Sequence, residues 1–232
     1  MFFDPLYLLF MLPGFLLALW AQMKVKGSFN KYSKVPNSRG MTGAQAARRI
    51  LTDNGISDVS VERVAGMLSD HYDPRSKTLR LSPEVHDSAS VAAIGIAAHE
   101  VGHAIQHARQ YQPLILRQTL APVATVGSNL AMFLLMIGFF MQSMGMVWLG
   151  ILGFSAAVLF TLVTLPVEFN ASNRAKELLP RLGLANQGEA VMVAKVLDAA
   201  ALTYVAAAIS AVLQLLYFLL RAGVLGGSSR DD

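Results

Sequence analysis

The sequence contains no cysteine, so it can form neither disulfide bonds nor thiolate ligands for a metal ion. This absence suits a reducing compartment. Charged residues are also few, at 15% of the 232 residues, whereas 54% of the residues are hydrophobic. An ordinary soluble domain has about half apolar residues or fewer. The composition therefore indicates a protein with apolar surface to place in a bilayer.

The hydrophobic residues are concentrated in four segments that are long enough to span a bilayer as helices. They cover roughly residues 6–22, 123–141, 146–166 and 200–220. A buried helix of a soluble protein is the alternative for each segment. The segments contain no acidic or basic residue, which argues against a transporter or channel with charges inside the bilayer.

The distribution of basic residues predicts how these segments are oriented. Only Asp4 precedes the first segment as a charged residue, whereas lysines and arginines follow the first and third segments. The positive-inside rule then places residues 23–122 and 167–199 in the cytoplasm and both termini outside the cytoplasmic membrane. The first segment reads as a retained anchor, because no basic residue precedes it and no small-residue cleavage site follows it. Basic residues are not interleaved with aromatic ones, so we expect no nucleic acid as partner.

One motif carries recognisable chemistry, the pattern His-Glu-Val-Gly-His at residues 99–103. The uncharged residues 91–98 before it predict a buried helix, on which residues four apart share a face. His99 and His103 can therefore offer two imidazole nitrogens to one zinc ion. Glu100 suits a base that takes a proton from the attacking water, and inside a protein its charge needs a nearby cation. A core helix with incidental histidines is the alternative.

A catalytic zinc site needs a third protein ligand and one open position. No histidine follows His107, so a ligand further along the chain must be a carboxylate. The candidates are Glu168, Glu177, Glu189 and Asp198. Glu168 is favoured because it follows Pro166 at the end of the third segment, where metal coordination would offset the cost of a charge beside the bilayer. An interfacial charge or a helix cap is its alternative.

The remaining histidines are weaker metal candidates. His71 and His86 have no partner at ligand spacing. His107 lies four residues beyond His103, but three histidines at this spacing extend over about 12 Å along a helix, which is too far for one ion. We therefore expect His107 to support a ligand, to contact substrate or simply to be buried. Arg174, His107 and His71 are candidates for stabilising an oxyanion.

The residues between the first segment and the motif predict a small α+β region. Thr42 caps a predicted amphipathic helix over residues 43–54. Between residues 59 and 82, apolar residues alternate with polar ones, which predicts a small antiparallel sheet with a turn over residues 70–77. An edge strand of this sheet could hold an extended peptide by main-chain hydrogen bonds. Ser82 and Pro83 begin the next predicted helix.

The motif at residues 99–103, with Glu168 and residues 169–175, resembles the YugP-type neutral zinc metallopeptidases of bacterial membranes. The resemblance covers nearly the whole chain and includes residues 68–74, from Leu68 to Pro74. More distantly, the chain is similar to the HtpX-like membrane endopeptidases, whose zinc ligands would fall on His99, His103 and Glu168. In that pattern an aspartate follows the glutamate by one turn, but here Ser172 stands there. A carboxylate that would orient a zinc histidine is thus missing, and Asn173 or another polar group must substitute.

The resemblance and the motif together predict a mainly α integral membrane protein. Its four transmembrane helices and a cytoplasmic zincin-like α+β catalytic region would form a single domain over residues 1–232. The expected function is a zinc-dependent endopeptidase, with one Zn²⁺, that cleaves peptides or membrane proteins, by analogy in protein quality control. A non-catalytic scaffold or regulator stabilised by zinc is the alternative. The fourth segment is rich in small residues that could support a homo-oligomer, namely Ala206, Ala207, Ala208, Ser210 and Ala211.

Overall fold

The structure is a computed structural model that describes residues 4–67 and 69–223. Leu68, which belongs to the segment named in the resemblance, lies outside the described residues. The helices are α1 (Pro5–Tyr32), α2 (Gly43–Asp53), α3 (Pro83–His86), α4 (Val91–Ala108), α5 (Gln112–Phe140), α6 (Met144–Arg181) and α7 (Gln187–Arg221). The strands are β1 (Ser60–Arg63), β2 (His71–Asp73) and β3 (Thr78–Leu81).

Four helices, α1, α5, α6 and α7, are long and apolar enough to cross a membrane. They contain the four predicted segments, except that Met141 lies just after the end of α5. Large apolar side chains such as Leu9, Phe15 and Leu152 are exposed on them. Such surface is stable in lipid but costly in water. The prediction of a mainly helical fold with four apolar helices is confirmed.

The chain divides into two compact units. The first, called the apolar unit, comprises the described residues of Met1–Trp20, Leu116–Leu165 and Tyr204–Asp232. The second, called the mixed unit, comprises Ala21–Ile115 and Pro166–Thr203 and contains the sheet. All four long helices contribute residues to both units. The expected single domain over residues 1–232 stays a prediction.

In the apolar unit, small residues allow helix backbones to approach closely. A Cβ atom on Gly127 of α5 would lie 3.0 Å from the carbonyl oxygen of Gly153 on α6, and a Cβ on Gly153 would lie 2.9 Å from that of Gly127. Packing of this kind is typical of helices in membranes, where small residues bring backbones together. On α7, Ala206 and Ala208 are buried within the chain. The homo-oligomer suggested by this small-residue segment stays a prediction.

In the mixed unit, the sheet has the strand order β1-β3-β2. The small sheet is confirmed, but only β2 pairs with β3 in antiparallel fashion, whereas β1 runs parallel to β3. The sheet is mixed because β1 and β2 lie on opposite sides of β3, and only β2 forms a hairpin with it. The predicted turn over residues 70–77 is also corrected: its first half forms β2, and the turn follows that strand.

Helix α2 begins and packs as the sequence predicts. The Thr42 side chain accepts a hydrogen bond from the backbone N–H of Gln45, and the Gln45 side chain accepts one from the backbone N–H of Thr42. This reciprocal pair satisfies two N–H groups that have no partner within the helix. The apolar side of α2, including Ile50 and Leu51, is buried in the same hydrophobic core as α4. The core of the mixed unit thus surrounds the helix that carries the motif.

Replacing Gly127 by valine should destabilise the protein, because the added carbon atoms would meet the backbone of Gly153. Overpacking of this kind costs about 1–3 kcal/mol, and we expect a lower melting temperature in detergent. The matched control is valine at Gly145, another glycine of a long helix, where an added Cβ would have no neighbour within 4 Å. Equal melting temperatures for the two variants would contradict this account of the packing.

Candidate metal centre

Helix α4 holds the motif in the core of the mixed unit. The side chain of Ser90 caps it by accepting a hydrogen bond from the backbone N–H of Ala93. Alanine, glycine and β-branched residues before the motif let the helix be buried along most of its length. Within the motif, a Cβ on Gly102 would lie 2.8 Å from the carbonyl oxygen of Ala171 on α6. The absent side chain therefore allows α4 and α6 to touch beside the histidines.

This contact brings Glu168 of α6 to the two histidines of α4. The Oε2 atom of Glu168 lies 3.3 Å from Nε2 of His99 and 3.5 Å from Nε2 of His103. One ligand atom from each of the three residues lies within 4.8 Å of the others. All three residues are largely buried, and Glu168 is only 2% exposed. The predicted ligands, which are far apart in the sequence, therefore converge.

The other three carboxylate candidates have different partners. Glu177 forms an exposed ion pair with Arg181, and Asp198 forms one with Lys176. Glu189 is buried, but it accepts hydrogen bonds from the backbone and hydroxyl of Ser38. Among the described residues, the only cluster of potential metal ligands is the one that contains Glu168.

Two of the three separations in the cluster fit a tetrahedral ion, and the third, between the histidine nitrogens, lies within 4.8 Å. Ligand atoms about 2.0–2.1 Å from such an ion are about 3.3 Å from one another. The two separations from Glu168 to the histidines, 3.3 Å and 3.5 Å, match this value. They are longer than the usual charge-assisted hydrogen bond of about 2.7–2.9 Å. Two histidines and one glutamate also form a known ligand set of catalytic zinc, so the cluster is consistent with a zinc site.

Glu100 lies in the same buried region and is 8% exposed. Its carboxylate makes no hydrogen bond to any other residue that the structure describes. A second carboxylate, that of Asp70, lies near enough to sense its charge: burial raises the pKa of Asp70, and the negative charge of Glu100 raises it further. Hydrogen bonds from the backbone and hydroxyl of Ser82 to Asp70 oppose this shift. Ser82 thus stands at the N-cap position of α3, as predicted, but its side chain binds Asp70.

The other three histidines lie outside the cluster. His71 contacts the backbone oxygen of Ser69, and His86 contacts Asp87. Nδ1 of His107 lies 2.9 Å from the hydroxyl of Tyr72 on β2. Burial raises the pKa of Tyr72 to about 12, so this hydroxyl remains protonated at neutral pH.

A cavity of about 290 Å³ lies beside this pair. Its walls come from the end of α4 and the residues just after it, from the segment before β1, and from β2 and the turn that follows. The lining residues are Ile56, Asp58, Val59, Tyr72, Lys77, Ala104, His107, Ala108 and Gln110. Asp58 and Lys77 form an ion pair of 2.5 Å, and both side chains are half exposed or more. The cavity thus offers apolar walls together with a few polar groups, as ligand sites commonly do.

Two polar side chains contact the ring nitrogens of the histidines that face away from Glu168. Nδ1 of His99 lies 3.0 Å from Oγ of Ser172, and Nδ1 of His103 lies 3.0 Å from Oε1 of Gln106. Ser172 itself thus contacts the histidine that the usual aspartate would orient, and Asn173 is not needed for this. Gln106 was missed by the sequence reasoning. Its position three residues after His103 on one helix was the available signal.

Comparison with known proteins agrees with this geometry. A family model described as "Putative neutral zinc metallopeptidase" matches residues 7–223. The chain is 52% identical over 204 residues to the Bacillus subtilis protein named "Putative membrane protease YugP", which covers 88% of this chain and 91% of that protein. No solved structure gives a significant match. Because the family model spans almost all of the sequence and includes the three clustered candidate ligands, this chain belongs to the "Putative neutral zinc metallopeptidase" family.

Proposed function

We propose that the protein is a zinc-dependent endopeptidase that cleaves peptide bonds at the cytoplasmic face of the bacterial membrane. The observation that carries this proposal is the convergence of His99, His103 and Glu168, whose ligand atoms lie within 4.8 Å of one another. A buried carboxylate, that of Glu100, follows directly on the first of these ligands. Peptidase chemistry needs this combination of a metal with an open position and a nearby base.

His99, His103 and Glu168 would hold a single zinc ion through Nε2, Nε2 and Oε2. When bound, zinc polarises a carbonyl group and lowers the pKa of a coordinated water to about 7. Glu100 accepts the proton of the attacking water and then passes it to the leaving amine, so that one residue serves first as base and then as acid. Its carboxylate is suited to this role, because no other described residue binds it by a hydrogen bond.

Separate observations support the membrane location and the substrate class. The four apolar helices agree with a multi-pass membrane protein, and the similar Bacillus subtilis protein is itself named a membrane protease. The basic residues after the first and third segments support a cytoplasmic site with both termini outside. Peptides or membrane proteins would be the substrates, and a role in membrane protein quality control rests on the resemblance to the HtpX-like enzymes.

Removing the Glu168 carboxylate tests the third ligand. In Glu168→Ala the two histidines would remain without their charged partner, so we expect the purified protein to lose its zinc and its peptide cleavage. The control is Glu177→Ala on the same helix, which removes only an exposed ion pair. Metal analysis by mass spectrometry and cleavage of a peptide should be measured on the same samples. Full zinc occupancy in Glu168→Ala would remove Glu168 from the site.

Replacing Glu100 by glutamine separates catalysis from a structural use of zinc. The amide cannot accept a proton, and general acid–base catalysis contributes about 10²–10⁴-fold to a rate. We expect a loss of cleavage of that size with unchanged zinc content. A non-catalytic scaffold or regulator would need only the metal, so a Glu100→Gln protein that keeps full cellular activity would favour that alternative.

We also propose that the cavity beside α4 accepts a side chain of the substrate. Two residues of the cavity wall, Ala104 and His107, lie close to the metal ligand His103 on α4. Ala104 follows His103 directly, and His107 lies about 6 Å from His103 along the helix axis. A peptide advances about 3.3–3.6 Å per residue. The cavity is therefore within reach of a residue one or two positions from the scissile bond.

Filling the cavity should change specificity without changing the metal site. In Ala108→Trp the indole would occupy space that a large substrate side chain needs, so we expect slower cleavage of peptides with large residues near the scissile bond than of those with alanine there. Zinc content should not change. The control is tryptophan at the exposed Ala65, outside the cavity. The same peptide preferences in wild type and Ala108→Trp would contradict this assignment.

A further inference from the structure

Each predicted zinc histidine is hydrogen-bonded through Nδ1 to an uncharged side chain. His99 contacts the Ser172 hydroxyl and His103 contacts the Gln106 amide, both at 3.0 Å. Both partners are buried: Ser172 is 4% exposed and Gln106 is fully buried. Zinc histidines usually donate this ring N–H to a carboxylate, a backbone carbonyl or water. Two neutral side chains in these places distinguish this site.

The contacts of Gln106 determine which way its amide faces. Its Nε2 donates to the carbonyl oxygen of Val167 at 2.8 Å and to Oδ1 of Asn170 at 3.0 Å. Oδ1 of Asn170 also accepts from the guanidinium of Arg174 at 2.7 Å, and a guanidinium can only donate. Both partners of Nε2 are therefore acceptors, so the amide nitrogen must face α6 and Oε1 must face His103.

This orientation fixes the tautomer of His103. Because Oε1 can only accept, Nδ1 of His103 carries the proton. In the neutral imidazole Nε2 then keeps the lone pair, on the side of Glu168, and this is the form that binds a metal. At His99, the Ser172 hydroxyl can accept the Nδ1 proton in the same way.

The same contacts join the two ligand-bearing helices. Val167 and Asn170 lie on either side of Glu168 in α6, so Gln106 links His103 to the segment that supplies the third ligand. Ser172 is one helical turn beyond Glu168 and links His99 to that segment. Each histidine of α4 is thus oriented by a contact that depends on α6.

The net charge of the site explains how neutral partners of the histidines affect zinc binding. A zinc ion with the carboxylates of Glu168 and Glu100 gives a buried site with no net charge. A carboxylate in place of Ser172 would make the histidine ligand more basic and add a negative charge beside the cation. Neutral partners give weaker attraction for zinc and leave more positive charge on the metal to act on a substrate carbonyl.

We propose that Gln106 and Ser172 are positioning residues that set the tautomer and orientation of His103 and His99, and that their neutrality limits zinc affinity. This inference rests on the proposed zinc site but not on the identity of the substrate. It predicts opposite effects for different substitutions, which a merely structural role would not produce.

The test is the zinc dissociation constant of the full-length protein in detergent, measured by competition with a chromophoric chelator. Gln106→Met keeps the length of the side chain but loses its polar contacts, and Ser172→Ala loses the hydroxyl. We expect each to weaken zinc binding about 10–100-fold, the usual effect of losing such a partner. Ser172→Asp should bind zinc more tightly than wild type. Thermal melting of the zinc-free proteins measures any loss of folding separately.

The control is Gln110→Met, which changes the same residue type just after α4, where the exposed amide donates a hydrogen bond to the backbone oxygen of His107. Its zinc affinity should equal that of wild type. Zinc affinity within threefold of wild type in Gln106→Met and Ser172→Ala, or weaker zinc binding in Ser172→Asp, would overturn the inference. If wild type itself failed to bind zinc stoichiometrically, the proposed zinc enzyme would fail instead.

Discussion

A Cβ atom on Gly102 would lie 2.8 Å from the backbone oxygen of Ala171, so α4 and α6 touch with no side chain between them. The metal centre depends on this contact. With the helices this close, Glu168 of α6 lies within 3.3 Å and 3.5 Å of the two histidines of α4. A larger residue at position 102 would meet the backbone of Ala171 and push α6, which carries Glu168, away from the two histidines.

The contact also places two carboxylates in the interior of the protein, where their negative charge must be balanced. Glu168 and Glu100 are both buried, and isolated carboxylates inside a protein are strongly unfavourable unless they are paired. The two imidazoles face Glu168, and a divalent cation would balance both carboxylates. Around this group, the neutral side chains of Gln106 and Ser172 accept hydrogen bonds from the histidines, so they orient the rings without adding charge.

The small sheet supports α4 from another side. Strand β2 places Tyr72 against His107, and the residue before that strand, Asp70, binds Ser82 and senses the charge of Glu100. The segment around β2 thus connects the sheet to both the cavity and the buried carboxylates. These contacts explain why the first half of the predicted turn forms a strand that packs beside the motif.

The sequence by itself determined the features that depend on neighbouring residues. Apolar length defines the four long helices, the Thr42 and Gln45 pair starts α2, and helical spacing puts His99 and His103 on one face. Position at the end of the third segment favoured Glu168, and the resemblance strengthened this prediction. The tertiary structure alone decided the parallel pairing of β1 with β3, the partners of Gln106 and the contact of Ser172 with His99. These features depend on contacts between residues far apart in the chain, where hydrophobic pattern and spacing carry no information about which side chains meet.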